Sequence, residues 1–354
     1  LEQSWQLLSS DAQAVVRRLS VFLGGFLPDA AAVVGADLMT LAELVDVAWI
    51  YRTPAGRYQM HELLRQYAAD KLAQEPSAEA DTQERHMHHY LRLVADLEGV
   101  LVGPDQLAAL EQIVCEFDNI QIAWSRAAAR ADAALIDAAL HALHLFFIMR
   151  SRYAEGKQLF AAARQPFELP ADGQVSHGYT VVGCRLLARL GVFHLHLGEI
   201  EAAERCFAGV VDSSPSERER AFVYARIGEL GRQQGTRAAA EAALRKSLSL
   251  ANATGDRELT AEALLGLSDL LSSFGEFAAG EQHARAALVL CRQLQRPALM
   301  ARALAALAWC ICCRGGYAEA ERCYSETLAI SQAIANPFGI ALATNFLGWV
   351  AYCE

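Results

Sequence analysis

The sequence predicts a chain dominated by α-helices, in which a small helical domain with one β-hairpin precedes an array of helical repeats. Three observations support this fold class. A residue pattern recurs along the second half of the chain, and a hairpin pattern interrupts helical patterns near its start. In addition, 53% of the residues are hydrophobic, with only 9 prolines among 354 residues. This composition is sufficient for a packed core and opposes disorder.

A glycine marks the turn of each repeat. It recurs at intervals of 37, 40 and 40 residues, and a small residue lies seven positions before it in every case. The glycines are Gly198, Gly235, Gly275 and Gly315, and the small residues are Gly191, Gly228, Ser268 and Ala308. Self-similarity at this period is typical of stacked helix pairs. The pattern resembles the tetratricopeptide repeat (TPR) in a variant with long helices, so an α-α superhelical TPR solenoid is expected.

Residues 1–75 are predicted to form a winged-helix domain with a small β-hairpin wing. Three helical patterns come first, then two short strands around a turn, and then a strong amphipathic helix. The predicted elements are a helix capped by Ser9 that ends before Gly24, the helices Pro28–Val34 and Thr40–Ala48, the strands Trp49–Arg52 and Arg57–Met60, and the helix His61–Ala73.

Residues 76–135 are predicted as a helical connector and residues 136–354 as TPR-like repeats. The polar residues 74–83 are interpreted as a link, and the last repeat is expected to be truncated at Glu354, before its second helix. Further expected elements are a helix Thr82–Glu98, a helix opened by Gly103–Pro104, a helix that starts at Glu116–Asn119 and reaches Arg130, a degenerate first repeat Ala138–Arg164, and a loop Pro166–Ser176.

Composition excludes several functional classes. The net charge of −10 opposes general binding to nucleic acid or to an anionic membrane, and no apolar run approaches the roughly 18 residues of a membrane span. The nine cysteines lie within helical patterns and indicate reduced thiols in a cytoplasmic protein. Neither a metal site nor a catalytic site is predicted, because no complete ligand set, nucleophile–base pair or carboxylate pair stands out.

The N-terminal region resembles the module that closes the nucleotide-binding half of STAND ATPases (signal-transduction ATPases with numerous domains), especially the bacterial NB-ARC-like kind. The resemblance is carried by Leu19–Phe26, Leu41–Asp46 and Arg57–Ala68, and Glu116–Asn119 is similar to the connector that follows such modules. It implies a P-loop domain that precedes Leu1 and uses ADP or ATP with Mg²⁺. This chain has no GxxxxGK motif, so no cofactor is expected within it.

Met60, His61 and Glu62 are similar to the MHD motif of that family, with glutamate in place of aspartate. The resemblance implies that His61 approaches the β-phosphate of ADP in a closed, inactive state, with Met60 and Glu62 positioning it. An imidazole at a helix start can donate a hydrogen bond to a phosphate, and the helix dipole favours an anion there. The alternative is a histidine that only caps the helix after the hairpin.

The first helix of each repeat is expected to line the concave face of the solenoid. The residues at those positions are Arg185, Arg189, Arg226, Glu229, Arg232, Asp269, Arg302, Trp309, Asn345, Trp349 and Tyr352. Trp309 and Trp349 occupy equivalent repeat positions and would form an aromatic wall for a peptide or apolar ligand. The alternative is that both tryptophans belong to the core.

Two hypotheses follow for the function. In the first, the chain is a non-catalytic sensor and scaffold, whose repeats bind a protein, peptide or small-molecule signal and whose winged helix couples this event to a nucleotide-binding domain in cis, with homo-oligomer formation on activation. In the second, the chain is a transcription regulator whose winged helix binds DNA. The helix Thr40–Ala48 carries Glu43 and Asp46 and no basic residue, which favours the first hypothesis.

Overall fold

The computed structural model of the chain describes residues 2–167 and 177–353. The described residues form two compact units. The first comprises the chain up to Asp96 together with Glu111–Leu143, and the second comprises Leu97–Leu110 together with the chain from His144 onwards. The helices predicted as a connector therefore divide between the two units.

The first unit begins with the predicted order of three helices, a hairpin and a helix, after one additional short helix. The strands pair antiparallel, with Ile50 opposite Met60 and Arg52 opposite Tyr58. Its elements are α1 (Glu2–Gln6), α2 (Ser10–Leu19), α3 (Pro28–Val33), α4 (Leu38–Asp46), β1 (Ile50–Arg52), β2 (Tyr58–Met60), α5 (Glu62–Ala73) and α6 (Pro76–Asp96). Whether this arrangement is a winged helix stays a prediction.

Side chains cap the N-termini of α2 and α4, and only the first of these two caps matches the prediction. Ser9 caps α2 as predicted, since its hydroxyl accepts a hydrogen bond from the Ala12 amide at 3.1 Å. The cap of α4 is Asp37 and not Thr40, because the Asp37 carboxylate accepts from the Thr40 amide at 2.7 Å. Both side chains satisfy a backbone N–H that a helix start leaves without a partner.

Two expectations about the following helices are wrong. Residues 74–83 are not a link, because α6 starts at Pro76, where a proline loses no helical hydrogen bond. Glu116–Asn119 does not start a helix, because it lies within α8 (Gln106–Ala129), an unbroken helix of 24 residues without internal glycine or proline. The short helix α7 (Glu98–Leu101) precedes it.

The polar residues in the middle of α8 fasten it to the turn after α2. The Asn119 side chain accepts from the Leu23 amide at 2.8 Å and donates to the Gly25 carbonyl at 2.9 Å. Arg57 pairs with Glu116 and donates to the same carbonyl at 3.0 Å. The turn requires glycine at Gly24, whose φ is +69° and whose Cβ would lie 2.5 Å from the Asp118 carboxylate.

The second unit is an array of antiparallel helix pairs. Its elements are α9 (Ala133–Met149), shared with the first unit, α10 (Tyr153–Arg164), a short 3-10 helix (Gln165–Phe167), α11 (His177–His196), α12 (Ile200–Ser213), α13 (Glu217–Gln233), α14 (Arg237–Thr254), α15 (Arg257–Ser273), α16 (Phe277–Leu294), α17 (Pro297–Cys313), α18 (Tyr317–Ala333) and α19 (Pro337–Cys353). Most of the predicted loop Pro166–Ser176 lies outside the described residues.

The predicted turn glycines are confirmed, and two of the small residues that precede them lie where helices pack closely. All four turn glycines have positive φ, from +73° at Gly235 to +86° at Gly315, with open space around them. Within the helices, a Cβ on Gly228 would lie 2.4 Å from Leu244, and one on Gly191 would lie 2.5 Å from Phe207. The first set of glycines therefore serves backbone conformation and the second serves close helix packing.

No described helix is both long and apolar enough to cross a membrane. The nine cysteines all lie in the described part of the chain, and none forms a disulfide.

Candidate functional site

His61 lies at the junction of β2 and α5 and is exposed. It is the N-cap of α5, and its Nδ1 accepts a hydrogen bond from the Leu63 amide at 3.3 Å. Met60 precedes it as the last residue of β2 and pairs with Ile50. The hairpin thus fixes the backbone that carries the imidazole at the positive end of a helix dipole.

The cap interaction also determines what the rest of the imidazole can do. A nitrogen that accepts a hydrogen bond carries no proton, so the neutral ring has its N–H at Nε2. This second nitrogen is a hydrogen-bond donor in a residue that is exposed. The structural and the ligand-binding interpretations of His61 are therefore compatible, because they use different atoms.

Glu62, the third residue of the predicted motif, is engaged within its own helix. Its carboxylate accepts two hydrogen bonds from Arg65, at 2.7 and 2.8 Å, and one from Gln66 at 2.8 Å. These bonds lower the pKa of Glu62 to about 2. Arg65 also donates to the Ser20 carbonyl at 3.2 Å, which ties the start of α5 to the end of α2. Glu62 therefore has its charge neutralised by Arg65, the residue that links α5 to α2.

In the second unit, the predicted groove residues form a ladder of ion pairs between successive first helices. Arg189 of α11 pairs with Glu219 of α13, and Asp269 of α15 pairs with Arg302 of α17 at 3.0 Å. Between them, Arg226 of α13 pairs with a glutamate of α15, Glu262. Glu229 and Arg232 pair within α13 at 2.6 Å. The charges predicted along the groove are thus largely paired, either with one another or with Glu219 and Glu262.

Arg189 was expected on the accessible concave face, but its side chain is buried and only 1% exposed. Its guanidinium lies 2.6 Å from Glu219 and 3.9 Å from the centre of the Phe222 ring. Burial acts to raise the pKa of Glu219, but the charges of Arg189 and Arg185 outweigh it and the pKa is lowered. Arg185 also contacts Glu219, at 3.3 Å. Both arginines therefore contribute to the joint between α11 and α13.

Sequence reasoning missed the partners of this ladder. Glu262 occupies the repeat position of Arg185 and Arg302, six residues before the small packing residue, so the same offset could have found it. Glu219 has no such signal, because it lies in the first turn of α13, where an acidic residue is also favoured by the helix dipole. The sequence could therefore predict part of the pairing.

The aromatic residues at the end of the array form two groups. The ring of Trp309 packs edge to face on Phe346, with centroids 5.3 Å apart, and Phe346 stacks on Tyr324 at 5.2 Å. Trp349 lies beside Tyr352, with ring centroids 6.2 Å apart, and both line a cavity with Asn345 and Phe346. Trp309 and Trp349, predicted to form one aromatic wall, thus have their ring contacts with different aromatic residues.

The three histidines of α6 differ in burial, since His88 and His89 are half-buried and His86 is fully enclosed. His86 is buried, and its Nε2 lies 3.4 Å from the Asn119 side-chain oxygen. Burial, reinforced by the nearby charge of Arg126, lowers the pKa of His86 to about 3. Within residues 2–167 and 177–353 no group of three His, Cys, Asp or Glu side chains has an arrangement that could hold a metal ion.

Comparisons with known proteins agree with the repeat architecture. Residues 223–254, the second part of α13 and all of α14, match the family described as tetratricopeptide repeat. A stretch of 141 residues is 34% identical to proteins of Mycobacterium bovis and Mycobacterium tuberculosis whose names assign them provisionally to the HTH-type transcriptional regulators. That match covers 36% of this chain and only 15% of the relatives. An uncharacterized protein of M. bovis is 39% identical over 93 residues, 23% of each chain.

Among solved structures, the fold is similar to that of a STAND protein with a tetratricopeptide repeat sensor from Pyrococcus horikoshii. The TM-score is 0.52 and the sequence identity is 17%, over 98% of this chain and 54% of that protein. At this identity the similarity concerns the fold alone. The chain thus carries a tetratricopeptide repeat at residues 223–254, within a helical array whose fold is similar to that of a repeat-containing STAND protein.

Proposed function

We propose that this chain is the non-catalytic sensor region of a STAND-type signalling ATPase. In this proposal the repeat array receives a protein, peptide or small-molecule signal on its concave face. The first unit, as a winged helix, couples that event to the ADP or ATP state of a nucleotide-binding domain in the same protein. The coupling is a shift of population between a closed ADP-bound state and an open state that forms homo-oligomers.

The observation that carries the proposal is the geometry of His61. The Leu63 amide donates to Nδ1 of the exposed His61 side chain, so the neutral ring has its N–H at Nε2, at the positive end of α5. Glu62, the nearest carboxylate in sequence, is paired with Arg65 and does not leave an unbalanced negative charge beside it. A phosphate oxygen of ADP is the type of acceptor that such a position favours.

The repeat array supports the receiving role. The charged side chains of a TPR-like concave surface are paired with one another here. A ligand would therefore be recognised by its shape and apolar area more than by its net charge. The fold similarity to a STAND protein with a repeat sensor agrees with this combination of modules.

The test uses two substitutions of His61 in a parent protein that carries the proposed nucleotide-binding domain. His61→Ser keeps a side-chain acceptor for the helix cap but removes the imidazole donor, whereas His61→Ala removes both. We expect both variants to lose roughly 10- to 100-fold in ADP affinity, the value of one hydrogen bond to a charged group, and to raise basal activity. His61→Ala alone should also lose about 1 kcal/mol of stability.

Nucleotide content after purification, dissociation of labelled ADP and oligomeric state measure the effect. Unchanged ADP retention and unchanged oligomeric state in both variants would remove the nucleotide-sensing role and leave His61 as a helix cap only.

A second candidate function is DNA binding by the first unit, which the names of the mycobacterial relatives favour. The surface of α4 opposes it. This helix exposes Leu38 and Met39 together with Glu43 and contains no basic residue. Phosphate neutralisation contributes much of the affinity of DNA-binding proteins, and α4 lacks the charge for it.

A further inference from the structure

A cavity of about 360 Å³ in the second unit is lined by α12, α13, α14 and the turn between the last two helices. The volume falls within the range of roughly 300–1,000 Å³ that is usual for sites of small ligands. None of the residues predicted for the concave face contributes to its lining. The cavity is therefore a candidate site in addition to that face.

The walls of this cavity are mainly apolar. Phe207 and Val211 contribute from α12, and Tyr224 and Ile227 contribute from α13. Gly231, also in the lining, adds no side chain to the wall. The equivalent position of the other repeats, four residues before the turn glycine, carries a larger side chain, in His194, Leu271 and Ile311. The missing side chain distinguishes this repeat from the others.

The charged groups of the lining are all acidic. Glu204 and Asp212 of α12 line the cavity and are exposed, and no lysine or arginine stands among the described residues that line it. Within the described ranges neither carboxylate belongs to an ion pair, and Glu204 accepts a hydrogen bond from the neutral side chain of Gln234 at 3.1 Å. The charge of this cavity is thus uncompensated, in contrast to the paired charges of the concave face.

The two carboxylates lie at opposite ends of an apolar strip on α12. Eight residues separate Glu204 from Asp212, which corresponds to about 12 Å along a helix. Phe207, Ala208 and Val211 lie on the same helix face between them, and all five residues line the cavity. A ligand that packs on this strip can therefore place a positive charge beside a carboxylate at either end.

We propose that this cavity binds a small organic cation, an amine with an apolar body. The apolar body packs against Phe207, Val211 and Ile227, and the ammonium group pairs with Glu204 or Asp212. A cleft with apolar walls and charges of one sign concentrates ions of the opposite sign, so the acidic lining selects cations over neutral and anionic molecules of the same shape. The site is additional to the concave face and does not rest on the nucleotide-sensing role.

The test compares three probes that share a phenylbutyl body and differ in charge: 4-phenylbutylamine, 4-phenylbutan-1-ol and 4-phenylbutyrate. Equilibrium dialysis against this chain at neutral pH and low ionic strength measures the three affinities. We expect the amine to bind about 5-fold more tightly than the alcohol, the value of one or two exposed ion pairs, and the carboxylate to bind most weakly. The preference for the amine should shrink as salt is added, because salt screens exposed charges.

Three variants locate the interaction. Glu204→Gln with Asp212→Asn keeps the shape of the lining without its charge, so the amine and the alcohol should bind equally. Glu111→Gln with Glu321→Gln is the matched control, because it removes two exposed carboxylates outside the cavity and should leave the preference for the amine unchanged. Ala208→Phe adds a ring at an exposed position of the lining and should weaken the binding of all three probes.

Absence of binding by all three probes overturns the proposal, and so does a preference for the amine that survives Glu204→Gln with Asp212→Asn. Equal binding of the amine and the alcohol to the wild type overturns the assignment to cations. Unchanged binding in Ala208→Phe places the probes outside this cavity. These measurements need no nucleotide, and ADP retention in the His61 variants needs no phenylbutyl probe. The cavity proposal and the sensor proposal can therefore fail independently.

Discussion

At the residue scale, His86 shows how a polar side chain can be both buried and satisfied. The Asn119 side-chain oxygen faces Nε2 at 3.4 Å, and the Arg126 guanidinium faces Nδ1 at 3.5 Å. An acceptor on one side and a donor on the other fit a neutral imidazole with its proton on Nε2. The rings of Phe22 and Tyr90 enclose it, with centroids 5.3 and 4.8 Å away. Protonation of His86 would place a second positive charge beside Arg126.

The first unit should therefore lose stability as the pH falls from about 6.5. The folded pKa of His86 is about 3, below its ordinary value of 6.5, so the unfolded chain binds more protons between these values. Near pH 4.5 the loss due to His86 should be on the order of 3 kcal/mol. Urea unfolding of His86→Gln should show a weaker dependence on pH between 6.5 and 4.5 than the wild type. His88→Gln, on the same helix, is the control, and equal slopes in wild type and His86→Gln would contradict the expectation.

Residues were predictable from the sequence where one interaction determines them. The turn glycines follow from backbone conformation, and the Ser9 cap follows from the amides of its own helix. The burial of Arg189 could not be predicted, because it depends on a carboxylate 30 residues away, Glu219, and on the Phe222 ring.

At the element scale, the ion pairs between first helices differ in burial. Glu219 is 2% exposed in its side chain and contacts Arg189, Arg185 and Arg218 at 2.6, 3.3 and 3.8 Å. Glu262 is 21% exposed and pairs with Arg226. When one partner of a buried pair is removed, the remaining charge is left without compensation. When one partner of an accessible pair is removed, water can solvate the remaining charge. The contact between α11 and α13 should therefore depend more on Glu219 than the contact between α13 and α15 depends on Glu262.

Glu219→Gln should destabilise the array by about 3–5 kcal/mol, because it leaves three arginines around a neutral amide. Glu262→Gln removes a comparable charge from a more exposed pair and should cost about 1 kcal/mol or less. Chemical denaturation followed by far-UV circular dichroism compares the two variants with the wild type. Equal losses of stability, or a larger loss for Glu262→Gln, would show that burial does not determine how much these ion pairs stabilise the helix contacts.

Elements were predictable where periodicity and breakers agree, as in the helix pairs around Gly235 and Gly275. Prediction failed where polar residues have a tertiary function. Glu116–Asn119 resembles a helix start in sequence, yet these side chains hold the middle of α8 against Gly25 and Arg57. Pro76 similarly resembles a linker residue but occupies the first turn of α6.

At the scale of the whole molecule, the distribution of charge separates the two candidate functions. The net charge is −10, and the residues up to 75 contain six basic against nine acidic side chains. Of the six, Arg17, Arg57, Arg65 and Lys71 lie within 4 Å of carboxylates of the first unit. DNA affinity depends on release of counterions by protein cations, so few charges are available for it.

We therefore expect this chain to show no salt-dependent shift of duplex DNA in a gel at low ionic strength. The double variant Glu43→Lys with Asp46→Lys is the matched control. Both positions are exposed, and the two substitutions make the charge of α4 more positive by about four units. If α4 has the shape of a DNA-reading helix and lacks only the charge, this variant should gain weak binding that disappears as salt is raised. Salt-dependent binding by the wild type would instead favour the DNA-binding function, with basic side chains other than those of α4 making the phosphate contacts.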